Sequence, residues 1–376
     1  MNRYLVSILV GVAICSSIYS QELTFKDYIS RYIEGKLGLQ VIVMDFVSKS
    51  RYEELYSLLD EISKKTNSYE VLVEKVKVGF PLRRDVMNEL YEVLDSIIFE
   101  RYIYNSVFSE RRLLDSFSRN LLERKTNISE TVVRNFSRLC FNNNYLSPLT
   151  TLTKERVITN RAIISELISK LEIFEMFHEI VEVYRSIRNY YDFETTDLVT
   201  IARGLGEVGD EECLRILSQN LPQYIPLRIE FLIRFGYIQE GIEEVRVYGV
   251  SSRNAKYVLI AFLNLKKFDE ARSLLPFISQ QSLLNYFSVV INILKGQDLL
   301  NNERKLKDML QTKGLEPNIK NQVSLILWSL NTARNKDDIF DEVVSILNYF
   351  NNVKNPNIVS KRVLDMIKNR VESRAQ

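Results

Sequence analysis

The sequence predicts an all-α protein, an α-solenoid of stacked helical hairpins with an irregular helical section in its middle. Three observations lead there. Gly (12) and Pro (7) are scarce among 376 residues, and no Asn-Gly, Asp-Gly or Gly-Gly pair marks the tight turn of a β-hairpin. Hydrophobic residues make up 46% of the chain, ample for a large buried core, and they recur at helical spacing. One short segment type recurs at multiples of about 36 residues, the mark of a repeat architecture.

The recurring segment is an aromatic residue, an acid, Glu, two variable positions, Ser and two aliphatics. Tyr52-Glu53-Glu54-Leu55-Tyr56-Ser57-Leu58-Leu59 is one copy, Phe268-Asp269-Glu270-Ala271-Arg272-Ser273-Leu274-Leu275 a second, and Phe340-Asp341-Glu342-Val343-Val344-Ser345-Ile346-Leu347 a third. The copies stand 216 and 72 residues apart, six and two times 36. On a helix the aromatic and the later aliphatic pair share a face, and the acidic pair suits the positively polarised N-terminus. Each copy follows an apolar stretch of helical length, at 38–47, 257–265 and 323–330. The implied unit is a helical hairpin, which buries its faces only by stacking on neighbours.

At Leu265-Lys266-Lys267-Phe268-Asp269-Glu270-Ala271, and again at Gly236-Tyr237-Ile238-Gln239-Glu240-Gly241, the chain resembles the tetratricopeptide and related helical-hairpin families. The resemblance spans residues 196–350 and, more loosely, 36–100. The tryptophan, glycine-tyrosine pair and closing proline of a full tetratricopeptide motif never occur together in one copy. What the resemblance implies is the docking of partner proteins. Lys313-Gly314-Leu315-Glu316-Pro317-Asn318 looks like the link between pentatricopeptide repeats, which would imply reading single-stranded RNA. The charge balance opposes that reading, because Lys plus Arg (50) nearly cancels Asp plus Glu (48) and phosphate contact needs a surplus of cations.

In chain order, residues 1–20 resemble a secretory signal peptide, with Arg3 followed by an uncharged run from Tyr4 to Cys15. That run is shorter than the roughly 20 residues that cross a bilayer, although a retained N-terminal anchor is the alternative. No later stretch is long and apolar enough to span. Residues 21–188 form an N-terminal helical region: a lead-in to residue 35, hairpins to about Ile103, then helices without the repeat, with a loop from Asn142 to Pro148. Residues 189–376 form the tetratricopeptide-like region, where Thr196-Asp197 caps a helix from Leu198. A last helix from Ile358 to Val371 is placed as the cap on the stack.

Catalytic apparatus is not evident. His178 is the single histidine, on a helical face. Cys140 and Cys213 have no CxxC spacing and read as buried thiols, with a disulfide between them left open. No phosphate-binding glycine loop occurs, and Gly204-Leu205-Gly206 is placed between helices. The carboxylate pairs recur with the repeat and read as helix starts. Arg83-Arg84 and Arg111-Arg112 read as solvated surface. No cofactor or metal is expected. Tyr102, Tyr104, Tyr190 and Tyr191 cluster near loops and are the candidates for a partner-binding surface. The expectation is a non-catalytic, exported or envelope interaction scaffold with protein partners; the alternative is an organellar RNA-binding repeat protein.

Overall fold

The computed structural model describes residues 23–101, 106–124, 128–312, 315–333 and 335–351, and every regular element among them is helical. The leader expected at 1–20, Tyr102, Tyr104 and the terminal helix expected at 358–371 lie outside the described residues. Among the described residues no helix is long and apolar enough to cross a membrane. The chain divides into two compact units, Met1–Leu167 and Ile168–Gln376.

In the first unit α1 (Phe25–Ile33) opens on a capping box: the Thr24 hydroxyl accepts from the Asp27 amide while Asp27 accepts from the Thr24 amide at 2.8 Å. Then come α2 (Leu39–Ser48), α3 (Tyr52–Thr66), α4 (Tyr69–Gly79) and α5 (Met87–Leu94). Helix α3 carries Glu53 and Glu54 in its first turn and Lys64 and Lys65 in its last, the charge order that a helix dipole favours. Two 3-10 turns (Ile97–Arg101 and Ser106–Ser109) lead to α6 (Arg111–Arg124), α7 (Glu130–Asn142) and α8 (Ser147–Lys154). Helix α7 starts where the Ser129 side chain caps it, and α8 starts with Pro148 in its first turn, which confirms the loop expected between Asn142 and Pro148. Helices α1 and α2 pack on α3, α3 on α4, α4 on α5, α5 on α6 and α7, and α6 and α7 on α8. Phe46, Leu55, Leu58, Leu59 and Ile62 are sealed in the first core. Helix α9 (Arg161–Ile173) carries the chain across the division.

The second unit contains α10 (Phe177–Ile187), α11 (Thr195–Val208), α12 (Glu212–Gln219), α13 (Ile225–Arg234), α14 (Ile238–Tyr248), α15 (Ala255–Asn264), α16 (Phe268–Ser273), α17 (Gln281–Leu294), α18 (Leu299–Gln311), α19 (Pro317–Thr332) and α20 (Lys336–Asn351). Helix α11 starts at Thr195, earlier than expected, because Glu194 is the N-cap and Asp197 completes the box from the third helical position. Each helix packs on the next, and α13 also packs on α15. Helix α20 then turns back onto α15 and α17. There the Asn264 and Asn348 amides exchange hydrogen bonds at 3.1 and 2.8 Å, and the Phe268 and Phe340 rings meet edge to face at 6.3 Å. One apolar cluster runs from Ile229 to Leu347.

Two corrections concern local sequence readings. Gly204-Leu205-Gly206 lies inside the last turns of α11, not between helices. A Cβ on Gly206 would stand 2.1 Å from the Phe231 ring, so the glycine is there to let α13 approach α11. The second correction concerns the third repeat copy. Tyr52 and Phe268 are each the first residue of their helix, but Phe340 lies one turn inside α20, whose first-turn acids are Asp337 and Asp338. Glu342 is consequently buried, accepting a bond from the Ser329 hydroxyl instead of facing solvent at a helix start. The aliphatic pairs are core in α3 and α20, where Leu58, Leu59, Ile346 and Leu347 are fully buried; Leu274 is buried and Leu275 partly so.

Candidate functional site

A cleft of about 700 Å³ in the first unit forms where the turn between α4 and α5 meets the start of α6. Helix α4 ends at Gly79, and amide bonds from Arg83 to the Phe80 carbonyl (2.9 Å) and from Arg84 to the Gly79 carbonyl (3.0 Å) fix the turn. Asp85 accepts from the Met87 amide at 3.1 Å and so starts α5. Phe80, Pro81 and Met87 give the cleft an apolar side; Arg83, Arg84, Arg112 and Arg119 surround it, with Asp85, Glu110 and Asp115.

These charges are unequally engaged. Arg84 is bound to Glu53 at 2.7 Å, a hydrogen bond that raises its pKa further, and lies 5.9 Å from the Tyr56 ring. Asp115 accepts from the Tyr145 hydroxyl at 2.7 Å, which pushes the phenol pKa up. Arg119 reaches only its own helix, at 3.4 Å to the Asp115 carbonyl and to the Ser116 hydroxyl. Among the described residues the Arg83 and Arg112 side chains have no ion-pair or hydrogen-bond partner. Helix α6 has no acid in its first turn and carries Arg111 and Arg112 there, cations at the positive pole of a helix dipole. An anion in the cleft would relieve that misfit. The two arginine pairs, taken from sequence as unrelated surface, thus contribute to one place: Arg83 and Arg84 from the turn, Arg112 from α6, while Arg111 stands over the Tyr145 ring at 5.1 Å.

The aromatic candidates fare differently. Tyr190 is exposed, its hydroxyl bound to the Ser186 carbonyl at 2.7 Å. Tyr191 is half-buried against Phe193 (4.7 Å), which lies against Tyr184 (5.6 Å), so this ring closes a loop onto α10. Tyr184 is anchored through Glu212, which also receives Arg188 at 2.9 Å.

A second charged group was not foreseen. Arg234 on α13, 9% exposed, grips Glu207 of α11 with two bonds (2.7 and 2.8 Å) and reaches Glu230 at 3.2 Å, beneath the rings of Phe231 and Tyr257. Burial raises the Glu230 pKa against the pull of Arg234 and Arg253; burial and then Arg234 lower that of Lys256, which stands over Tyr257 at 5.3 Å. These residues belong to α11, α13 and α15 or the turn before α15, and they tie those three helices together. A recurrence of charge on alternate helices was the available signal, but charge spacing alone does not tell a buried clamp from a solvated face.

His178 is exposed near the start of α10, and Cys140 and Cys213 are buried free thiols. Burial, with Asp210 adding to it, pushes the Cys213 thiol up to about 12, far from a nucleophile's range. Among the described residues no group of three His, Cys, Asp or Glu side chains stands ready to hold a metal ion. Comparison with protein-family models, curated proteins and solved structures gave no match to this chain.

Proposed function

We propose that the protein is a non-catalytic interaction scaffold built of tetratricopeptide-like hairpins, working in the cell envelope or exported fraction, and that the arginine cleft takes a carboxylate-bearing segment of a partner protein. The observation that carries this is the presence of two arginines without partners, Arg83 and Arg112, on a cleft whose acids are largely occupied within the chain. Guanidinium groups bind carboxylates through two parallel bonds, which gives direction as well as attraction. The cleft's volume suits a short run of peptide, and its apolar side offers Phe80, Pro81 and Met87 to the stems of the incoming side chains. The leader-like residues 1–20 support the location.

Fluorescence anisotropy of the full chain with a labelled Asp/Glu-rich peptide, a Lys-rich peptide and a single-stranded oligonucleotide tests this. The acidic peptide binds saturably, and Arg83→Gln and Arg112→Gln each weaken it about tenfold, the loss of one charge-assisted contact. Absence of saturable binding, or equal affinity in both variants, contradicts the proposal. Preference for the oligonucleotide favours the RNA-binding alternative.

A further inference from the structure

In the second unit three inter-helix turns converge on a separate cavity of about 150 Å³, and each supplies one lysine. Lys266 sits in the α15–α16 turn at φ +55°, Lys295 ends α17, and Lys336 is the first residue of α20. Their convergence is a product of the fold, since it requires α20 to return onto α15 and α17. Phe268 and Phe340 form part of an apolar floor.

The lysines are held but poorly neutralised. Lys295 binds Asp269 at 2.6 Å, and that carboxylate is 86% exposed, pointing its remaining capacity to water. Lys266 lies 4.6 Å above the Phe340 ring. The Lys336 stem crosses Gly296, where an added Cβ would stand 3.4 Å from its ammonium nitrogen; the glycine's φ of +68° and its missing side chain both serve this arrangement. Among the described residues neither the Lys266 nor the Lys336 ammonium group donates a hydrogen bond to any acceptor. Among the described residues Asp337 is the one carboxylate on the wall, against three ammonium groups. Cations gathered around a small cavity repel one another, and an anion with several acceptor oxygens removes that cost by giving each a partner.

We infer that this cavity is a binding site for a phosphate monoester group. A cavity of about 150 Å³ has room for one phosphate head. A phosphate monoester spreads up to about two negative charges over three terminal oxygens, one for each ammonium group, whereas a carboxylate carries a single charge on two oxygens. The site is independent of the arginine cleft.

Lysine acetylation footprinting of the full chain, read by mass spectrometry, tests it. Inorganic phosphate, but not chloride at matched ionic strength, should slow acetylation of Lys266, Lys295 and Lys336 saturably while leaving exposed Lys26 on α1 unchanged. Lys336→Gln should raise the half-saturating phosphate concentration about tenfold at the other two lysines, and Lys26→Gln should leave it unaltered. A phosphoserine peptide and phosphatidylcholine vesicles containing phosphatidic acid distinguish the sources of the group: protection by either supports the site and names its origin. Protection by none of the three probes, equal protection of Lys26, or half-saturation unchanged in both Lys336→Gln and Lys266→Gln overturns the inference.

Discussion

At the scale of residues, the ion pairs differ in what they contribute because they differ in burial. Lys75 is buried and joins Asp60 (2.5 Å) to Glu89 (2.7 Å), tying α4 to α3 and α5. Hydrogen bonds from Lys64 and Lys75 hold the Asp60 pKa below its ordinary value. A carboxylate with a depressed folded pKa adds stability that is fully present above its unfolded value near 4 and disappears as pH falls through the lower folded value. Asp60→Asn should therefore flatten the loss of stability on acidification below about pH 4, measured as the urea midpoint against pH; an unchanged acid limb would contradict the assignment. Arg234→Ala strands the buried Glu230 and should cost about 3 kcal/mol in urea unfolding, with little recovery in Arg234→Lys because the paired bonds to Glu207 need a guanidinium. Glu53→Gln, losing only the exposed bond to Arg84, should cost at most about 1 kcal/mol in the same assay. The arginine pairs were visible in the sequence, but their meeting depends on a turn and a helix start 28 residues apart, which spacing cannot reveal. Tyr191 is ambiguous in the sequence for a plain reason: an aromatic near a loop closes that loop as readily as it offers a surface.

At the scale of elements, helix positions were legible because capping and apolar spacing are local. The first two repeat copies begin their helices at the aromatic, while Asp337 and Asp338 start α20 a turn sooner and move the third copy inward. Close packing was less legible, since Gly204-Leu205-Gly206 reads as a helix breaker unless the neighbour is known. Gly206→Ala should destabilise the second unit by about 2 kcal/mol through the Phe231 ring, seen as a lower urea midpoint. Ile346→Asp, placing a carboxylate at a fully buried site of α20, should cost several kcal/mol. Should either variant unfold at the parent's midpoint, the packing described for α11 or α20 is wrong.

At the scale of the whole molecule, an all-helical chain presents its function on the surfaces where turns and helix starts gather, because the helix interiors are committed to packing. The return of α20 to α15, closed by the Asn264 and Asn348 amides, joins segments 84 residues apart and could not be read from a repeat of neighbours. The arginine cleft is the surface on which the scaffold reading rests. Hydrogen exchange of the full chain, followed by mass spectrometry with and without the Asp/Glu-rich peptide, tests that reading most directly. Slowed exchange confined to residues 80–87 and 110–119 is the predicted result; unchanged exchange there, or protection only elsewhere, would contradict it.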